Sequence, residues 1–325
     1  MTSNLDLNAE LEKRAAVVTE AIERMLPVVH PRPLYEAGRH LVDAGGKRLR
    51  PSMLLLAAEA CGAKSLPLAP AAVSIELIHN FTLIHDDIMD NADVRRGRAA
   101  VHKIWGQSGA ILAGDTLYSK AFQVLGMTAA QPEKVLGAMN LLSETCTAIC
   151  EGQWLDMEFE ARERVSEAEY MEMIEKKTGV LYGASAGMGA LLSGASSQAV
   201  AGLYEFGKLT GMGFQLQDDV IDLVTPESVS GKRQGGDLVE AKKTLIMIHA
   251  FAHGVPVDVF GKKDANTSQI LEAIDALSKS GSIEYARSRA EEMVGRGKRA
   301  LQVLPDSDSR EMLLKLADFM IMRRY

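Results

Sequence analysis

Apolar residues recur at intervals of three and four along nearly the whole chain, and the alternating pattern of a half-buried strand is almost absent. Leu11, Ala15, Val18, Ile22 and Leu26 form the first stripe, and Pro27, Pro31 and Pro33 close it. Such spacing puts one apolar face along a helix. It predicts further helices over about 51–61, 70–90, 109–127, 133–158 and 167–192, and then about 199–224, 241–252, 267–279, 282–302 and 308–323. Two long connections interrupt the series, 224–237 with its glycines and 254–267. Loops of that length in a helical protein often cover a site. No linker, low-complexity tract or short repeat divides the chain, so the reading is one all-α domain over residues 1–325.

The composition narrows the classes of function. With 47% hydrophobic residues in 325, the chain can bury a large core. A net charge of −7 argues against general nucleic-acid binding, which favours basic proteins. Three cysteines, Cys61, Cys146 and Cys150, do not make a disulfide framework. There is no uninterrupted apolar run of membrane-spanning length, and the first residues carry Asp6 and Glu10 rather than a secretory signal. The expectation is a cytoplasmic protein without stable membrane insertion.

Two segments share the pattern Asp-Asp-x-x-Asp: Asp86, Asp87 and Asp90, then Asp218, Asp219 and Asp222. Each ends an apolar helical stretch. On an ideal helix Asp90 lies about 40° from Asp86, and Asp87 about 100° from it, so the three are expected on one face. Carboxylates repel there, and a helix C-terminus disfavours anions. Hard oxygen ligands in this pattern suit Mg²⁺, which shares its shell with water and substrate phosphates. The alternative is a solvated acidic helix end, and two copies make that reading harder to hold. His79 falls on the face of Asp86 two turns deeper, and Gln215 lies one turn below Asp218. Gly207 and Gly211 lie beneath Asp218, where they either leave room for a slender apolar ligand or allow close helix packing.

Basic runs complement the acids. Gly45-Gly46-Lys47-Arg48-Leu49-Arg50 precedes a proline-started helix, and Arg95-Arg96-Gly97-Arg98 follows the first acidic cluster. Lys176, Lys177, Lys232, Lys242 and Lys243 accompany the second. Arginine forks and lysine point charges are the usual partners of diphosphate. Their interleaving with two magnesium-type clusters points to a diphosphate substrate.

In these blocks the chain resembles the trans-isoprenyl diphosphate synthases. They are GGKRLRP (45–51), ELIHNFTLIHDDIMD (76–90), RRG (95–97), AILAGD (110–115), GQWLDM (152–157), KTG (177–179), FQLQDDVIDL (214–223) and GKRQGGDL (231–238). The resemblance implies a helical bundle around a central cavity, a homodimer, and condensation of isopentenyl diphosphate with an allylic diphosphate. It implies that Asp86, Asp87, Asp90, Asp218, Asp219 and Asp222 hold Mg²⁺, more than one ion per site. Arg95, Lys177, Lys232 and Lys242 would contact the allylic diphosphate. Gly46, Lys47, Arg50, His79 and Arg96 would hold isopentenyl diphosphate. Thr178 and Gln215 would stabilise the carbocation, and Arg323 and Arg324 would close the site.

Two departures affect loop shape rather than charge: Ala99-Ala100 after RRG, and Ala241 and Ile246 flanking the Lys242 block. For product length, Phe81 and Thr82 stand five and four residues before Asp86. That combination resembles archaeal-type geranylgeranyl diphosphate synthases and implies a C20 product, with farnesyl or longer-chain synthases as the alternative. A terpene cyclase would not need GGKRLRP. A non-catalytic partner subunit would be expected to lack the second aspartate cluster. A cation-binding structural protein would not order the basic blocks this way.

Overall fold

The computed structural model describes residues 6–230 and 233–322. The described residues are 76% helical and 1% strand. The helices are α1 (Leu7–Met25), α2 (Arg32–Val42), α3 (Leu49–Ala60), α4 (Ala69–Met89), α5 (Val101–Leu125), α6 (Pro132–Ala161), α7 (Glu167–Ile174), α8 (Val180–Leu192) and α9 (Ser197–Val224). They continue with α10 (Glu227–Ser230), α11 (Gly236–Val239), α12 (Leu245–Ala252), α13 (Thr267–Lys279), α14 (Ser282–Ala300) and α15 (Asp308–Met322). The only strands among the described residues are β1 (Val94–Arg95) and β2 (Arg98–Ala99), which pair antiparallel.

Most of the expected helices are present, and the departures have physical causes. Pro33 was expected to help close the first helix; it opens α2 instead, because a first-turn residue has no intrahelical N–H bond to lose. The segment before 109 is also helical. Gly106, at φ +72°, kinks α5 and breaks the periodicity there. The predicted helix over 167–192 is interrupted by one π-helical turn, Glu175–Gly179, between α7 and α8. The helix expected from 241 starts at Leu245, after Ala241 has taken a left-handed φ of +59°.

The chain divides into two compact units, each discontinuous in sequence. The first comprises Met1–Cys146, Ala184–Tyr204 and Val303–Leu313. In it α4 packs against α1, α2, α3 and α5, and Ile75, Leu77, Ile78 and Ile84 of α4 are fully buried. The stretch Leu66–Met89 is long and apolar enough to cross a membrane by composition alone, but 72% of that window is buried inside the protein. Its hydropathy is that of a core helix.

The second unit comprises Thr147–Gly183, Glu205–Gln302 and Leu314–Tyr325. Its core brings together Tyr170 and Ile174 of α7, Leu216 and Val220 of α9, Leu245 and Ile246 of α12, and Ala286 and Ala290 of α14. Gly207 and Gly211 serve helix packing here. A Cβ on Gly207 would lie 2.2 Å from the Tyr182 carbonyl oxygen, and one on Gly211 would lie 2.7 Å from the Tyr182 ring.

Candidate active site

In the first unit, the end of α4, the start of α3 and the β1–β2 turn assemble a cationic site. Gly45 and Gly46 adopt φ +78° and +128°, and Arg48 is left-handed at +47°. This turn places Arg48 inward, where its guanidinium pairs with the buried Glu76 and donates to the Val42 carbonyl. Glu76 also accepts from Asn80 Nδ2 at 2.8 Å. Asn80 Oδ1 in turn accepts from Arg96, whose Nη1 donates to the carbonyls of Gly45 (2.8 Å) and Leu41 (3.0 Å). Gly46 packs against this arginine, where a Cβ would make an ordinary contact 3.6 Å from the guanidinium carbon; its φ of +128° is what favours glycine.

His79 links two of the predicted ligands. Its Nε2 lies 3.3 Å from Arg50 Nη1 and 3.4 Å from Arg96 Nη2. Burial, then the charges of Arg50 and Arg96, hold its pKa well below the ordinary histidine value. A neutral ring with two arginines beside Nε2 accepts there, so its proton resides on Nδ1. Two guanidinium groups are thereby oriented together. Lys47 is exposed nearby in sequence, on the same glycine-led turn.

The three carboxylates of the first cluster do not share one face. Asp90 is the exposed C-cap of α4 and Asp86 is half-buried, but Asp87 is fully buried. Arg95 pairs with it through Nε at 2.8 Å and Nη2 at 2.6 Å, both to Oδ1. The other Asp87 oxygen is buried without a hydrogen-bond partner. The 100° offset between neighbours on a helix carries Asp87 inward. Arg95, expected on a substrate diphosphate, here engages this aspartate.

In the second unit, Asp219 is the centre of a buried polar chain. The Tyr170 hydroxyl donates to Asp219 Oδ2, and Gln215 Nε2 donates to Oδ1 at 3.1 Å. Gln215 Oε1 accepts from the Thr178 hydroxyl at 3.1 Å. Asp222 accepts the backbone N–H of Asp237 at 3.1 Å. Burial, then the neighbouring Asp237, raises the pKa of Asp219 well above the carboxylate range and that of Asp222 to about 7. Burial and Asp219 likewise keep the Tyr170 hydroxyl protonated.

The π-helical turn presents Lys177 and Thr178. A Cβ on Gly152 would lie 2.3 Å from the Lys177 backbone nitrogen, so α6 can approach this turn only as glycine. Lys177 pairs with Asp156, four residues further along α6. Lys242 pairs with Asp237 at 3.1 Å and Glu240 at 3.3 Å. Burial lowers its pKa, but those two carboxylates outweigh it and the net shift is upward. Lys232, Arg323 and Arg324 lie outside the described residues.

Asp156, Asp237, Tyr170, Glu76 and Asn80 belong to these networks although none was singled out from the sequence. Asp156 and Asp237 fall inside quoted blocks, GQWLDM and GKRQGGDL. Tyr170 carries no local signal, because its partner Asp219 is 49 residues away.

Among the described residues no group of three or more His, Cys, Asp or Glu side chains converges as a metal cage. Mg²⁺ rarely needs one, since it is held by one or two carboxylates together with substrate phosphates and water. The second unit sets Asp156, Asp218, Asp219, Asp222 and Asp237 against Lys177 and Lys242. Two of these acids have raised proton affinity. The donor set fits a hard divalent cation.

The polyprenyl synthetase family profile matches residues 31–277. A geranylgeranyl diphosphate synthase of Methanosarcina mazei is 54% identical over 97% of this chain and 98% of its own length. A geranylfarnesyl diphosphate synthase of Natronomonas pharaonis is 45% identical over the full length of both. The solved geranylgeranyl pyrophosphate synthetase of the archaeon Geoglobus acetivorans is 45% identical, with a TM-score of 0.92, over 96% of this chain and 99% of that one.

Proposed function

The chain belongs to the polyprenyl synthetase family, and on that premise we propose that it condenses isopentenyl diphosphate with dimethylallyl, geranyl or farnesyl diphosphate to make chiefly the C20 product, geranylgeranyl diphosphate. The reading is supported by the crowding of Asp219, Asp222 and Asp237, where Asp222 accepts the Asp237 backbone N–H and burial and mutual repulsion raise the pKa of Asp219 and Asp222; a divalent cation would offset that repulsion. The product assignment is supported by the geranylgeranyl synthases among the relatives and by Phe81. The geranylfarnesyl synthase relative makes a C25 product the second reading.

In this reading Asp86 and Asp90 of the first cluster, and Asp218 and Asp222 of the second, are the carboxylates that would hold Mg²⁺ with the allylic diphosphate. Asp87 and Asp219 brace them from within. Bound Mg²⁺ supplies positive charge against the departing diphosphate. Lys177, Lys232, Lys242 and Arg95 add fixed charge there; Arg95, Lys177 and Lys242 exchange their present carboxylate partners for phosphate oxygens. Gln215 orients Thr178 beside the forming allylic cation. The neutral ring of His79 keeps Arg50 and Arg96 turned towards the second diphosphate, with Lys47 and the Gly46 backbone alongside. Water must be excluded while the cation exists. The departing diphosphate accepts the final proton, so no side-chain base is required. The homodimer implied by the resemblance and the cytoplasmic location expected from the sequence belong to the same proposal, as does the action of both units as one catalytic domain.

This division of cations gives a kinetic split. Arg50→Ala or His79→Ala should raise KM for isopentenyl diphosphate, and Lys177→Ala should affect the allylic substrate or kcat. Each lost charge-assisted contact should cost about 1.5–3 kcal/mol. Steady-state kinetics with either substrate varied checks this. Equal effects of all three changes on both substrates would remove the two-site assignment.

Product length gives a second test. Phe81→Ala should yield products longer than C20, because the ring no longer blocks the tail. Thr82→Phe should yield products near C15, because a ring is added one residue closer to the aspartates. Chromatography of dephosphorylated products reads both. Unchanged profiles would leave Phe81 a packing residue only.

A further inference from the structure

Two polar side chains one helical turn apart are buried in α4. Asn80 is fully buried, and Glu76 is 2% exposed. The amide of Asn80 has one workable orientation. Its Nδ2 donates to the Glu76 carbonyl and to Glu76 Oε1, both at 2.8 Å, and a carbonyl and a carboxylate only accept. Its Oδ1 accepts from Arg96 Nη1 at 3.3 Å, and a guanidinium only donates. Asparagine therefore meets an anion on one side and a cation on the other. Aspartate would repel Glu76. A threonine hydroxyl, drawn back to the carbonyl four residues earlier, is too short to meet Arg96 as well.

Glu76 and Asn80 anchor two separate segments to α4. Glu76 pairs with the buried Arg48, on the glycine-led turn that also carries Lys47 and Arg50. Asn80 holds Arg96 on the β1–β2 turn. There Arg96 sits at φ +52° and Gly97 at +71°, the two left-handed residues of a type I′ hairpin turn, where Asn or Gly is the usual first residue. The side chain of Arg96 offsets that strain, since Nη1 donates to Leu41 and Gly45 carbonyls as well as to Asn80. Nη1 is thus taken up by the protein. Nη2, 3.4 Å from His79 Nε2, and Nε are the donors left to meet an anion. Burial lowers the pKa of Arg96; Glu76 opposes that shift, and Arg48, Arg50 and Arg95 add to it. Glu76 is thus the acid that offsets a crowd of arginines.

We propose that Asn80, backed by Glu76, is a positioning residue of the second diphosphate site, setting Arg96 in the orientation that receives isopentenyl diphosphate. The inference rests on the two-diphosphate reading above. Asn80 is too deeply buried to touch a substrate, so it acts through Arg96. With its amide gone, Arg96 keeps α4 only through the long contact to His79, and the hairpin loses its register on the helix that carries His79.

Asn80→Thr tests this. Its hydroxyl can keep the bond to the Glu76 carbonyl while giving up Arg96 and Glu76 Oε1. Steady-state kinetics should show KM for isopentenyl diphosphate raised on the order of tenfold, the scale of one hydrogen bond to a charged group, with KM for farnesyl diphosphate and kcat within about twofold of wild type. Calorimetric titration with isopentenyl diphosphate in chelator should show the same loss of affinity, since in this reading cations alone hold that diphosphate. Asn80→Ser replaces Asn80→Thr if thermal melting finds that variant unfolded, with the same expectation. Unchanged KM and affinity for isopentenyl diphosphate, or equal effects on both substrates and kcat, would make Asn80 a packing residue and overturn the inference while wild-type binding keeps the two-diphosphate reading. If the wild type has no affinity for isopentenyl diphosphate, that reading fails and the inference with it.

Discussion

Asp86→Ala and Asp218→Ala should each lower kcat by about 10²–10³-fold or more, the scale on which enzymes lose rate when a fixed charge-stabilising group is removed. The helical fold should survive both changes. Asp86 ends α4 and Asp218 lies near the end of α9, and both are half-buried rather than core residues. Around Asp218 the carboxylates already repel: Asp219 has its pKa raised in part by Asp237 and Asp218. Removing one negative charge should leave the melting temperature unchanged or slightly higher. Asp87→Ala should behave differently. It removes a buried carboxylate and leaves the partly exposed Arg95 without its partner, and so should cost stability as well as rate, by about 1–3 kcal/mol. Circular dichroism melts beside Mg²⁺-dependent turnover separate the two kinds of loss. Turnover within tenfold of wild type in Asp218→Ala would remove the cation role of the second cluster.

Gly207→Ala should be the most destabilising single methyl addition in the second unit outside the π-helical turn. Its Cβ would lie 2.2 Å from the Tyr182 carbonyl oxygen and 2.7 Å from the Tyr182 carbonyl carbon. These are backbone atoms of α8, so no rotamer change relieves the contact; α8 and α9 must separate. Overpacking costs about 1–3 kcal/mol where side chains can shift, and a backbone clash lies at or beyond that range. For a protein of this size each kcal/mol moves the melting temperature by about 2–4 °C, so a fall of roughly 10 °C is expected. The displaced helix carries Gln215 and Asp218 two and three turns on, so turnover should fall with stability. A wild-type melt in Gly207→Ala would restore the reading in which this glycine makes room for a ligand.

The helical class was legible because period-three-and-four apolar spacing needs only local sequence, and it fails where backbone chemistry overrides it. Pro33 looks like a terminator and is an initiator, and Gly106 hides the first turns of α5 behind a kink. The π-helical turn at Glu175–Gly179 is invisible to periodicity, since it carries no apolar side chain between Ile174 and Val180 to report its geometry. The candidate site was legible wherever its residues sit in one short block, as in GGKRLRP and the two aspartate patterns. It was not legible where a partner is distant in sequence. Tyr170 reaches Asp219, Arg48 reaches Glu76, and Lys177 reaches Asp156 only through tertiary packing. Helix-wheel angles also grouped Asp87 with Asp86 and Asp90. Burial separates them, because the 100° step between neighbours is enough to turn one carboxylate into the core.

The most direct measurement is incubation of the purified protein with radiolabelled isopentenyl diphosphate and each of the three allylic primers, with Mg²⁺ or with chelator, followed by sizing of the dephosphorylated products. The account predicts Mg²⁺-dependent incorporation from allylic primers, ending mainly at C20, and none with chelator. No incorporation from any primer in the presence of Mg²⁺, or undiminished incorporation with chelator, would contradict it.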